Sequence, residues 1–269
     1  TMTFTYENTD STGTRHASLT YGTSQSESDL STLLAIRDDS NPLVVTLGNP
    51  NLKKSRDHYV NFMVSSFSTA HQLFTNAELS YHTTRNAIAT SVLYDKATGK
   101  TTTQQVNING NWGASGNCGL SVPLDKNQHL SLQEELACDY NRSVDLTSVS
   151  GLVPEKSKVN NWNLQNTLKL VWQLGDRIRL NYTTNVAYQR ATGNREDFTT
   201  VSAWLYNFGV NGNITLPWNF EVTTDLTNYN RRGYNDSQMN TSEVIWNLRL
   251  TKKLLKDNLT LSLDGFDLL

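Results

Sequence analysis

The chain has 269 residues, a formal net charge of −2 and a mean hydropathy of −0.50. That charge supplies no basic field for nucleic acid, and no apolar run approaches the ~18 residues of a membrane helix. Helical spans are excluded, but a β-barrel is not, because its inward residues are polar and dilute the average.

Taken in order, the chain alternates polar and apolar residues almost throughout. Met2–Tyr6 alternates, turns near Asp10–Gly13 and returns as Arg15–Tyr21. A long polar connection follows from Ser24 to Arg56, of a length that is usually functional or external. Tyr59–Phe67 runs through a turn at Ala70–Gln72 into Leu73–Tyr94, expected as one strand. Asp95–Lys100 is a hairpin tip, and Thr101–Leu124 returns with Trp112, Ala114, Cys118, Leu120 and Val122 on one parity. His129–Val144 then carries Leu130, Leu132, Leu136 and Tyr140 on a shared face.

The strongest signal is Val159–Arg190, two long alternating runs joined by a Gly175–Asp176 turn. Trp162, Leu164, Leu168, Leu170, Trp172 and Leu174 share one parity, as do Ile178, Leu180, Tyr182, Val186 and Tyr188. Period two means strand, because successive Cβ atoms point to opposite faces. Soluble strands usually run about five or six residues, and these run far longer. Trp162 and Trp172 are separated by roughly 25 Å along a tilted barrel, the height of the apolar band between aromatic girdles. The loop Ala191–Phe198 leads to Val201–Leu216, with Trp204, Tyr206, Phe208, Val210, Ile214 and Leu216 aligned. Pro217 turns the chain, and Trp218, Phe220, Val222 and Leu226 rise again. The loop Arg231–Asn240 precedes Val244–Leu254, with Trp246 in phase, and a turn at Lys256–Asp257 starts the last run.

Connections at 125–127, 175–176, 217 and 256–257 are tiny, whereas those at 145–158, 191–198 and 231–240 are longer. Short turns on one rim and long loops on the other is the outer-membrane arrangement. The expected fold is therefore all-β: an antiparallel transmembrane β-barrel, or a partial barrel, of about twelve long strands. Pairing Leu124 with Gln128 would set Cys118 opposite Glu134 and offset it from Cys138 by about 13 Å, too far for a disulfide. Glu134 breaks the pattern, a carboxylate on the outward parity. A register-flipping bulge and a subunit contact are both open explanations.

Several segments carry a resemblance. Gly48-Asn-Pro-Asn-Leu-Lys53 resembles the GNPNLKP-type segment before a barrel strand in TonB-dependent receptors, with Lys54 where proline is usual. Asn109–Trp112, Thr192–Phe198, Leu216–Asn219, Thr224–Leu226, Arg231–Asp236, Met239–Thr241 and Leu263–Asp267 are similar to TonB-dependent-receptor-like outer-membrane β-barrels of Gram-negative bacteria. The resemblance implies that residues 1–269 are an outer-membrane β-barrel segment from the C-terminal part of a larger receptor, with plug and final strands absent. It also implies nutrient uptake from a site in the cell outer membrane. Expected partners are outer-membrane lipids, the energy-coupling TonB complex through a plug outside this chain, and a surface lipoprotein, with no nucleic acid.

No enzyme is expected. His16, His58, His71, His82 and His129 have no paired-ligand spacing, so no metal or cofactor is expected. Ser131 near His129 suggests a hydrolase barrel only weakly, without an indicated acid partner. The expected membrane-facing aromatic girdle is Trp112, Tyr140, Trp162, Trp172, Tyr188, Trp204, Trp218 and Trp246. Lumen-facing charges are Lys169, Arg177, Arg179, Glu221, Asp225 and Arg249, with Lys253, Glu135 and Asp139, read first as a salt-bridged network. Arg195, Glu196, Asp197, Arg231, Arg232 and Tyr234 are candidate ligand contacts on external loops. Other readings are a structural barrel with partner-binding loops, and a soluble all-β carbohydrate-binding module.

Overall fold

The computed structural model describes residues 1–147, 154–255 and 258–269. Alternation becomes strand along nearly the whole chain. Among the described residues, sixteen strands divide between two sheets. The first two strands are β1 (Met2–Asp10) and β2 (Gly13–Ser26), followed by β3 (Arg37–Asn41), β4 (Val44–Leu47) and β5 (Ser55–Ser68). Next come β6 (Leu73–Arg85), β7 (Ala87–Asp95), β8 (Lys100–Ile108), β9 (Asn111–Pro123) and β10 (Leu130–Thr147). The long hairpin is β11 (Glu155–Leu174) and β12 (Ile178–Gly193), and the chain ends with β13 (Val201–Leu216), β14 (Phe220–Arg232), β15 (Ser242–Leu254) and β16 (Leu259–Gly265).

Twelve strands form one antiparallel sheet in the order β1-β2-β5-β6-β9-β10-β11-β12-β13-β14-β15-β16. No pairing joins β1 to β16 among the described residues, so the sheet has two free edges. Its register keeps every apolar set on one face. Phe4 sits opposite Leu19, Leu19 opposite Phe62, Phe62 opposite Leu79, and Trp172 opposite both Leu130 and Leu180. Beyond the long hairpin the match continues through Tyr182 with Val210, Val210 with Leu226, and Leu226 with Trp246. This face is not covered by protein. Trp172 and Phe208 keep 41% and 42% of their surface accessible, which in water would be an untenable apolar belt and in hydrocarbon is the required one.

Connections on one rim are the short ones, at 11–12, 69–72, 124–129, 175–177 and 217–219. The expected turn at Lys256–Asp257 lies outside the described residues, as do residues 148–153 of the expected 145–158 loop. The strands beside the long loops run further than expected, β10 to Thr147 and β12 to Gly193. Pro217 opens a short 3-10 turn in which Trp218 and Asn219 adopt left-handed φ of 64° and 61°. Trp218 thus sits in the turn, not in the strand that follows, and is 82% exposed.

Two expected strands are each divided between sheets. Leu73–Tyr94 breaks at Asn86 (φ 53°), and Thr101–Leu124 breaks at Gly110 (φ 124°). Their outer halves, β7 and β8, leave the barrel wall and form a second sheet, β3-β4-β8-β7, in which β4 and β8 are parallel. The connection from Ser24 to Arg56 therefore holds two strands and a short helical turn, Leu30–Leu33. Most of the fully buried apolar side chains gather here: Val45, Ala87, Ala89 and Ile108, with Val144 and Leu146 of β10 packed on them.

The segment Gly48–Lys53 is tied to β8 of this second sheet. Asn49 Nδ2 donates to the Gln105 carbonyl (2.9 Å), and Gln104 Nε2 donates to the Gly48 carbonyl (3.1 Å). Asn107 accepts from Lys53 N (2.7 Å) and donates to the carbonyls of Lys53 (2.8 Å) and Asn86 (2.9 Å). A Cβ at position 48 would lie 1.7 Å from the Leu34 carbonyl oxygen, so only glycine fits.

The β9–β10 register differs from the expected one by two residues. Leu124 pairs with Leu130 instead of Gln128, because Asp125 accepts the Leu130 amide (2.7 Å) and closes a longer turn. Cys118 therefore faces Leu136, not Glu134, and Cys138 faces Gly116. The shift brings the cysteines closer than expected, to diagonal positions with a spacing of about 7–8 Å, and both are free.

Candidate functional site

The polar face of the twelve-stranded sheet is the site that the fold builds, because a barrel turns this face to water. It is rich in carboxamides. Asn141 lies opposite Asn161, Asn163 opposite Asp139 and Gln189, Asn185 opposite Asn207, and Asn211 opposite Asn181 and Asp225. Thr167 Oγ1 donates to Asn185 Oδ1 (2.8 Å) and Asn181 Nδ2 to Asn211 Oδ1 (2.9 Å). The Oδ1 atoms of Asn163 and Asn181 are buried with no hydrogen-bond partner among the described residues. An open hollow of about 410 Å³ is lined by Asp139, Asn141, Asn161, Asn163 and Gln189. A second hollow, of about 320 Å³, lies between Asn76, Gln133, Glu135, Thr167 and Lys169. Such a wall offers many neutral donors and acceptors and few fixed charges.

Lys169, Arg179, Glu221, Asp225, Arg249 and Lys253 lie on this polar face by register, with Glu135 and Asp139. Arg177 belongs to the turn between β11 and β12, where its carbonyl accepts the Thr215 amide (2.7 Å). The expected salt-bridged network does not form among them. Within the described residues Arg249 alone of this set is ion-paired, with Asp264 across β15 and β16. Cross-strand neighbours of the others are mostly amides and hydroxyls: Lys169 faces Gln133 and Thr183, and Glu221 faces Thr215 and Thr251.

On the apolar face the aromatic residues form a chain beside the long-loop rim. Ring centroids are 6.0 Å apart for Tyr81 and Trp112, 4.5 Å for Trp112 and Tyr140, 4.5 Å for Tyr140 and Trp162, and 4.8 Å for Tyr188 and Trp204. Tyr81 joins this chain although it was not in the expected girdle; only its alternation with Leu79 and Ala77 marked it. Trp246, near the start of β15, donates its Nε1 to Thr224 Oγ1 (3.0 Å). Trp172 and Trp218 lie at the short-turn rim. There Lys252, on the apolar parity, reaches back to the Trp218 carbonyl with its Nζ 4.0 Å from the Phe220 ring centroid. This is how a long cation escapes hydrocarbon.

Glu134 keeps the outward parity with no bulge, between Leu120 and Leu168. It lies about midway between the two girdles and accepts a hydrogen bond from Asn166, also on this face. Asn166→Leu alone is expected to destabilise the chain in a bilayer by about 1–3 kcal/mol, because it strands a carboxylate acceptor. The double change Glu134→Leu/Asn166→Leu is expected to be neutral or stabilising. Urea titrations in lipid vesicles would show the order of the three proteins.

The candidate loop contacts are more constrained than the sequence suggests. Arg195 Nε donates to Asp197 (2.7 Å), and this guanidinium holds the Asp197 carboxyl below the ordinary carboxylate range. Glu196 stands exposed between them. Arg231 and Arg232 are the last residues of β14 and point to opposite faces, while Tyr234 is tied by backbone bonds to the Asn240 side chain (3.0 and 2.9 Å). His129 has a carboxylate neighbour after all, Asp125 at 3.5 Å. That carboxyl is held low mainly by the Leu130 amide and serves the turn. No hydrogen bond joins Ser131 to His129 among the described residues. No group of three or more metal-ligating side chains occurs among them either.

A long-stranded antiparallel wall with an apolar outside, a polar inside and loops sorted by rim defines an outer-membrane barrel protein. The outer membrane protein beta-barrel family matches the chain over residues 1–174 and again over 159–269. The chain belongs to that family, and its place is the outer membrane. No curated protein matches it.

Proposed function

We propose that the chain is the wall of an outer-membrane receptor that imports a polar solute by TonB-linked transport, through a plug encoded outside these residues. The observation that carries this reading is the carboxamide-lined polar face, whose paired rows of Asn and Gln offer neutral donors and acceptors to a polar surface inside the barrel. Support comes also from the GNPNLK segment and the later stretches similar to TonB-dependent receptors. The protein performs no covalent chemistry in this role. Arg231 on the polar face and Tyr234 in the adjoining loop are placed to meet a solute at the long-loop rim, where a surface lipoprotein would also dock.

The test is solute depletion from a complex growth medium by cells with and without the intact gene, each with TonB present or deleted. A solute left behind in both single mutants supports the proposal. Identical depletion with and without the gene, or depletion that survives loss of TonB, refutes it.

A further inference from the structure

Five outward-facing arginines gather at one level, beside the aromatic chain on the long-loop rim, while Arg15, opposite Asn8 and Ser66, has the outward parity at the other rim. Arg56 and Arg85 are directly opposite each other on β5 and β6. Arg142 lies opposite Trp112, Arg190 opposite Trp162, and Arg232 opposite Trp204. The acidic residues in the same outer halves of the strands, Asp57, Asp139, Asp145, Glu155 and Glu243, all have the opposite parity. None of the five arginines is ion-paired among the described residues, where the paired ones are Arg37, Arg195 and Arg249. Arg142 Nε is buried without a partner. Arg56 reaches only the Gln25 amide oxygen (3.4 Å), and Arg232 only backbone carbonyls.

Like charges directly opposite in a sheet repel, so the Arg56–Arg85 pair needs an anion from outside the chain. We infer that this belt binds the phosphate groups of lipid headgroups in the outer leaflet, with Arg56 and Arg85 sharing one phosphate. A guanidinium fork matches phosphate bidentately, and residues just beyond an aromatic girdle stand at headgroup depth. The neighbouring tryptophans hold the lipid's glycerol or sugar region while the arginines take its charge. The belt lies outside the barrel, so the inference does not depend on transport or on TonB.

The full chain, refolded in zwitterionic micelles, would be titrated with diphosphorylated lipid A, with the same lipid lacking its phosphates, and with inorganic phosphate. Bound lipid is counted by native mass spectrometry. Expected are adducts with the phosphorylated lipid, weakened at least about tenfold by Arg56→Gln/Arg85→Gln and unchanged by Lys96→Gln in the β7–β8 hairpin tip. Equal binding of the dephosphorylated lipid, binding of inorganic phosphate alone, or full retention by the double variant would overturn the inference. Arg142→Gln provides a second reading, and circular dichroism of each variant confirms that the sheet has formed.

Discussion

Val210→Arg is expected to lower stability in a bilayer by about 2–4 kcal/mol, the cost of a cation near the midplane of a lipid-facing wall. Asn211→Arg, one residue along, is expected to cost less than about 1 kcal/mol, as a surface substitution. Val210 sits between Tyr182 and Leu226, both apolar, six residues inside Trp204. Asn211 sits between Asn181 and Asp225, the latter a ready counter-charge. Leu168 would be a poorer test position, because an arginine there could pair with Glu134 directly opposite. Urea unfolding of both variants in phosphatidylcholine vesicles makes the comparison. Equal costs at the two positions would mean that the face bearing Val210 does not meet lipid, and the barrel reading would fail with it.

Gly48→Ala is expected to detach the second sheet while leaving the wall intact. Its Cβ would fall 1.7 Å from the Leu34 carbonyl oxygen and 3.2 Å from that of Thr32, both backbone atoms that cannot swing away. Relieving the overlap moves the chain that carries β3 and β4, and overpacking of this kind costs about 3 kcal/mol. The cap has few buried side chains, chiefly Val45, Ala87, Ala89 and Ile108, and little to offset such a loss. Hydrogen exchange should accelerate at Val45, Ile108 and Thr103 but not at Leu168 or Tyr182. Unchanged protection at Val45 would show that the close approach of Gly48 to Leu34 is dispensable.

The wall was legible in the sequence because both of its solvents write on every second residue. From Tyr59 to Leu254 the parity of Leu, Trp and Tyr sets the face, and the pairing of β11 with β12 follows from the Gly175 turn alone. The cap was not legible, since β7 and β8 continue the same period as β6 and β9. The only marks of a change of sheet are Asn86 and Gly110, each with positive φ. The parallel pairing of Thr46 with Thr103 joins residues far apart in the chain, which no local pattern encodes. The β9–β10 register was missed by two residues because Asp125 caps a longer turn than its sequence implies. Parity assigns a strand charge to a face, but it does not say who pairs with whom. The cross-strand neighbours of the polar-face charges are mostly amides and hydroxyls.

The parallel joint between β4 and β8 also imposes an order of events. The hairpin of β3 and β4 emerges first, yet its docking strand lies 57 residues later at the Thr46–Thr103 contact, beyond two complete wall strands. Closing so large a loop is entropically unfavourable until β5 and β6 have brought its ends together. The cap is thus a latecomer that matures on a wall already zipped, and it is the part that proteases and denaturants should strip first.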